Sequence, residues 1–165
     1  MRVEYGFLDS SRGGALVIDG TANIVNSVFY NNSAQNGAAL LFGGGDANLS
    51  TVTNCSFVNN TGSFVGVGYQ GFSKAIFKNC LFWNNTPTSN PVVGRDEIYS
   101  QENRIGFQPT FINCIIRDAT GNPLAITNTV LVNSSNSNPL FVNSADGDGV
   151  DNQWATADDG LTLQN

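Results

Sequence analysis

Ile24-Val25-Asn26-Ser27-Val28-Phe29-Tyr30-Asn31-Asn32 returns as Val52-Thr53-Asn54-Cys55-Ser56-Phe57-Val58-Asn59-Asn60, and again as Phe77-Lys78-Asn79-Cys80-Leu81-Phe82-Trp83-Asn84-Asn85. Weaker copies follow at Phe111-Ile112-Asn113-Cys114-Ile115-Ile116 and Ile126-Thr127-Asn128-Thr129-Val130-Leu131. From Asn26 to Asn54 is 28 residues, from Asn54 to Asn79 is 25, and from Asn79 to Asn113 is 34. That period is too short for a helix-pair repeat, and no 3.6-residue apolar periodicity runs through it. It suits a coil of three short strands, each of roughly five residues, separated by turns. The alternation in Cys55-Ser56-Phe57 is strand-like and sends Cys and Phe inward together. A leucine-rich repeat has a similar period, but its Leu framework is absent. The expected fold is all-β: a single-stranded right-handed parallel β-helix of about five coils, its hand following that of parallel crossovers.

Composition agrees. The 165 residues are one domain by length. Only 12% are charged, while 41% are hydrophobic and 11 are Phe, which argues against disorder. The polar surface must come from Asn, Ser, Thr and Gly, the residues of turns, and Asn alone occurs 23 times. Residues 1–117 carry seven basic and seven acidic residues, whereas 118–165 carry six Asp and no base, so the net charge of −6 lies in that last stretch. Nucleic-acid binding needs a basic stripe, and none exists. No segment has the apolar length of a membrane span. The N-terminus lacks the apolar run of a signal peptide. Because the repeats begin and end part-way, the chain reads as a fragment of a longer secreted protein.

The repeated Asn has a structural use. Stacked at a turn, its side chains can bond to one another and to exposed backbone. Gly13-Gly14-Ala15-Leu16, Gly37-Ala38-Ala39-Leu40 and Gly66-Val67-Gly68 supply small residues where the backbone bends tightly. Cys55, Cys80 and Cys114 hold one place in three successive copies, with Ser27 and Thr129 in the flanking ones. They read as a vertical ladder of buried reduced thiols. Neighbouring rungs lie about 4.8 Å apart, within nominal disulfide range, but in-register side chains point the same way. The chain has no His to activate a thiol, and the three do not have zinc-ligand spacing.

The GGAL of residues 13–16 and the Phe-x-x-Asn of Phe29/Asn32, Phe57/Asn60 and Phe82/Asn85 resemble the repeats of the chlamydial polymorphic membrane proteins. Those are autotransporter-type adhesins with β-helical passenger domains, and the likeness covers about residues 13–93. Asn138-Pro139-Leu140-Phe141-Val142 and Trp154–Leu161 resemble the closing segments of secreted bacterial right-handed parallel β-helix repeat proteins. The resemblance implies a pectate-lyase-like solenoid at a bacterial cell surface.

Two regions fall outside the repeat. Residues 86–104, with Pro87 and Pro91, read as an inserted loop leaving the solenoid, since proline cannot sit in an inner ladder. The loop carries Arg95, Asp96, Glu97, Glu102 and Arg104, candidate ligand contacts that could equally be surface ion pairs. Residues 143–160 form an acidic loop. Asp146, Asp148, Asp151, Asp158 and Asp159 fall within 14 residues with no nearby cation in sequence, and Gly147 and Gly149 would let the loop curl. Calcium takes six to eight oxygens in flexible geometry, so these five form a candidate Ca2+ site; a solvated acidic turn is the competing reading. It is not an EF-hand, because Ala157 stands where the closing Glu would be.

The leading functional expectation is an extracellular non-catalytic β-helix module for adhesion or carbohydrate binding, with Tyr30, Trp83 and Tyr99 as exposed aromatics that could stack on sugars. The partner would then be a polysaccharide or another cell-surface ligand. One alternative is a polysaccharide lyase or glycoside hydrolase, which needs a base or two facing carboxylates in a groove. Another is a structural unit that stacks end to end through an unprotected sheet edge.

Overall fold

The computed structural model describes residues 2–4, 7–12, 14–43, 49–62, 67–69, 74–87, 98–100, 109–116, 130–147 and 149–152. Every regular element among them is a strand, and every strand pairing is parallel. One sheet stacks Arg2–Glu4, Val28–Tyr30, Ser56–Val58 and Leu81–Trp83. A second stacks Phe7–Arg12, Ser33–Asn36, Thr61–Gly62 and Thr86–Pro87. The third holds Leu16–Asp19, Leu40–Gly43, Val67–Tyr69 and Ile98–Ser100. The fourth holds five strands: Asn23–Val25, Leu49–Thr53, Lys74–Lys78, Thr110–Ile112 and Val130–Val132. The chain visits the sheets in that order and then begins again one rung along. This is a parallel β-helix of about five coils, the expected fold.

Three details differ from the sequence expectation. Each full coil has four strands rather than three, because strands of two to six residues leave room for a fourth within the same period. The small residues at Gly37-Ala38-Ala39 make the extra corner. There the backbone of Gly14-Ala15-Leu16 donates in register to the carbonyls of Gly37, Ala38 and Ala39 at 3.0–3.1 Å. A Cβ on Gly14 would lie 2.2 Å from the Ala38 carbonyl oxygen, so only glycine fits at that position. Second, parts of 86–104, expected as an inserted loop, are strands of the solenoid. Thr86–Pro87 pairs with Thr61–Gly62, and Ile98–Ser100 pairs with Val67–Tyr69. Pro87 is tolerated because its strand is the last in its sheet among the described residues. Third, the fifth copy of the motif is Leu131-Val132-Asn133-Ser134-Ser135. Asn133 has φ 50°, Asn113 N–H donates to Val132 O, and Ser134, not Thr129, takes the place of the cysteines.

Two kinds of Asn row run up the solenoid. Asn26, Asn54, Asn79, Asn113 and Asn133 each turn the chain from the fourth sheet into the first with φ of 49–54°, a left-handed conformation that Asn tolerates. Their exposed side chains are linked, Asn54 to Asn26 at 3.3 Å, Asn79 to Asn54 at 3.1 Å and Asn113 to Asn79 at 3.3 Å. The next corner is made by the Asn-Asn pairs. Asn31, Asn59 and Asn84 have φ of 53–55°, and the residue after each, Asn32, Asn60 or Asn85, turns its carboxamide into the interior and is buried. Asn60 Oδ1 accepts from the backbone N–H of Asn32 at 3.0 Å and from its Nδ2 at 2.9 Å. Asn60 Nδ2 donates to Phe29 O at 2.9 Å and to Asn85 Oδ1 at 2.8 Å. One side chain thereby ties three coils together.

Between these corners lies the apolar core. Phe29, Phe57 and Phe82 stack face to face at 4.9 and 4.8 Å, the rung spacing. Phe77 and Phe111 form a second column at 5.0 Å and meet the first edge-on, Phe77 against Phe82 at 5.4 Å. Offset and edge contacts of this kind add to the area each ring buries.

The two Asn rows should respond differently to mutation. Asn60→Ala strands several buried donors and acceptors and should cost about 2–4 kcal/mol in urea unfolding. Asn54→Gly keeps the left-handed corner and loses only exposed bonds, so it should stay within about 1 kcal/mol of the parent.

Candidate functional site

The four sheets present outer faces of different character, and the C-terminal segment decides which are open. After Ser135, which closes an isolated bridge to Ile115, the chain turns back along the outside of the first sheet. Phe141 packs on the outward row Tyr30, Val58 and Trp83 together with Val28 and Leu81. Ser144 accepts from Asn59 Nδ2 through its carbonyl and from Asn84 Nδ2 through its hydroxyl, the latter at 3.3 Å. At the far end the Tyr30 hydroxyl donates to Ala145 O and accepts from Gly147 N–H, both at 2.9 Å. Residues 138–147 are a strap over this face. Two Asx turns shape it, Leu140 N–H bonding Asn138 Oδ1 and Ala145 N–H bonding Asn143 Oδ1.

The strap corrects the expectation that Tyr30 and Trp83 are exposed aromatics. Tyr30 is 1% exposed and Trp83 is 7% exposed, so neither offers a ring face to a sugar. The sequence held a signal for this: Val28-Phe29-Tyr30 and Leu81-Phe82-Trp83 are continuously apolar, as strands covered on both faces are. Tyr99 lies in the strand Ile98–Ser100, paired with Gly68, and its side chain is outside what the structure describes. Arg95, Asp96, Glu97, Glu102 and Arg104 lie outside the described residues, as do Asp148, Asp158 and Asp159. Asp146 is half-buried in the turn that closes on Tyr30, where its N–H bonds Asn143 O at 3.3 Å and its carbonyl accepts from Gly149 N–H at 3.4 Å. Asp151 is exposed. Among the described residues no three Cys, Asp or Glu side chains converge on one point.

The fourth sheet is different. Its inward row, Ile24, Val52, Phe77 and Phe111, is buried. Its outward rows are Asn23, Thr51, Ile76, Thr110, Val130 and Val25, Thr53, Lys78, Ile112, Val132, set in register by the strand pairing. Val25, Val130 and Val132 are more than 40% exposed. Asn23 Oδ1 accepts from Thr51 Oγ1 at 2.9 Å, and the exposed Asn row flanks the face along one side. The five strands carry Lys74 and Lys78 and no carboxylate. Both lysines lie on the central strand, Lys74–Lys78.

The model of a right handed beta helix region matches residues 6–159. The chain belongs to the right-handed β-helix family. Neither the curated proteins nor the solved structures yield a match to it. Family membership fixes the hand of this β-helix, which parallel pairing and the order of the sheets do not settle alone. Among the described residues no helix is long and apolar enough to cross a membrane.

The Tyr30 hydroxyl bonds the Ala145–Gly147 end of the strap as both donor and acceptor, tying it to the first sheet. Tyr30→Phe should lower stability by about 1–2 kcal/mol. It should also speed proteolytic cleavage within 138–147, which time-resolved mass spectrometry of the digest would read.

Proposed function

We propose that this β-helix is a non-catalytic extracellular module that binds acidic polysaccharide along the outer face of its five-stranded sheet. The observation that carries the reading is the repetition of that face. Aliphatic, hydroxyl and amide side chains recur from rung to rung along the axis, and the strands add two lysines and no carboxylate. A partner with its own short repeat can meet equivalent groups on successive rungs, each weak alone and additive in sequence. Lys78 is exposed and Lys74 half-buried at opposite ends of the central strand, which suits uronate carboxylates. The strands of this face carry no carboxylate to serve as a glycosidase acid, which supports binding over hydrolysis. Such a partner puts the module outside the cell. A calcium ion held by Asp146, Asp148, Asp151, Asp158 and Asp159 belongs to the same reading, supported by their density in sequence.

Affinity electrophoresis in gels containing polygalacturonate, run with calcium and with chelator, tests this. The chain should be retarded in a salt-sensitive way, Lys74→Glu/Lys78→Glu should abolish the retardation, and the melting temperature should fall with chelator. Undiminished retardation of the double variant would contradict the proposed face. Release of unsaturated sugar products would favour a lyase instead.

A second reading rests on the terminal rung. Leu131 continues the buried inward row of Phe111 yet is 41% exposed, and its strand Val130–Val132 is the last of its sheet among the described residues. An apolar rung at a strand edge favours end-to-end association with another copy. Sedimentation velocity should show concentration-dependent assembly that Leu131→Lys suppresses; a monomer at all concentrations would remove this reading.

A further inference from the structure

Cys55, Cys80 and Cys114 occupy the same corner of three consecutive coils, all buried and all free thiols. Each sulfur lies near the carbonyl two residues earlier, at 3.3 Å for Cys55, 3.3 Å for Cys80 and 3.4 Å for Cys114. Each also faces a carbonyl of the preceding coil, Ile24, Val52 or Phe77 respectively, at 3.4–3.8 Å. The three side chains are therefore oriented alike and form a line along the axis. The flanking Cys114 and Cys55 thiols, together with burial, raise the Cys80 thiol above its ordinary range.

A line of sulfurs excludes some chemistry and favours other chemistry. A disulfide brings Cβ atoms to about 3.8 Å, whereas in-register parallel rungs hold them near 4.8 Å, so stacked neighbours cannot close one without moving backbone. Tetrahedral zinc needs ligands converging from several directions, and no three described ligand side chains do so. An ion bound by two sulfurs in line is different. With metal–sulfur bonds of roughly 2.3 Å it needs sulfurs about 4.6 Å apart, close to the rung spacing, with the metal on the axis between side chains that stand perpendicular to it.

We propose that the Cys55–Cys80–Cys114 row is a buried two-coordinate site for a soft d10 metal ion, with Cys80 giving one sulfur and either neighbour the other. Softness selects thiolate over the surrounding carbonyl oxygens. Burial selects charge: a divalent ion such as Hg(II) with two thiolates is neutral, whereas a monovalent ion leaves one net negative charge in the core. On binding Hg(II), two S–H bonds break and two metal–sulfur bonds form. Both protons leave to solvent, and no electron is transferred.

The serine substitution is one the fold already uses. Ser27 and Ser134 fill the same corner in the flanking coils, bonding Val25 O at 2.9 Å and Val132 O at 3.3 Å. The test loads the reduced full chain with Hg(II) in the presence of excess small monothiol, desalts it, and measures retained metal and ultraviolet sulfur-to-mercury absorption. The parent, Cys55→Ser and Cys114→Ser should each retain one ion per chain. Cys80→Ser should retain none, because its two remaining thiols lie two rungs, roughly 9.6 Å, apart. Should Cys80→Ser lose its β circular dichroism, the double variant Cys55→Ser/Cys114→Ser replaces it with the same expected loss. Metal retained without Cys80, metal lost from both outer single variants, or none retained by the parent would overturn the proposal.

Discussion

The carboxamide of Asn60 is the interaction on which the stacking depends. A parallel coil leaves corner backbone groups facing inward, and each must be bonded where water cannot reach. Asn32, Asn60 and Asn85 meet that need by stacking in register, each amide bonding to the coils beside it. A one-residue slip of any coil would move an amide outward and bring an outward residue into the row. The same register places Phe over Phe and Cys over Cys.

With register fixed, the outer faces differ in what covers them. Residues 138–147 cover the first sheet, and the Tyr30–Val58–Trp83 row serves to hold that segment. The outer rows of the fourth sheet are half-exposed or exposed on all five strands. The cysteine row lies at the corner between these two sheets, behind the exposed Asn corner. Binding at the open face and metal binding at the corner would thus share one edge of the solenoid without sharing side chains.

Much of this was legible in the sequence because the solenoid writes one structural unit several times. The repeated Asn, Phe and Cys point to parallel stacking and to the thiol ladder. The alternation in Cys55-Ser56-Phe57 places Cys55 and Phe57 on the inner side, as the structure does. The number of corners was not legible, because a corner made by Gly37-Ala38-Ala39 has no side chain large enough to mark it. Nor were the two members of each Asn-Asn pair separable, since Asn59 and Asn60 are chemically identical and only the coil's path buries the second. The strap was missed for a different reason. Its contacts join Tyr30 to residues 115 and 117 positions away, a separation that no local pattern encodes.

Hydrogen exchange of the Asn side-chain amides tests the dependence on the buried row most directly. The Nδ2 protons of Asn60 and Asn85 should exchange only through global unfolding, while those of the exposed Asn54 and Asn79 exchange far faster. Equal, rapid exchange of all four would contradict the claim that buried amides hold the coils in register.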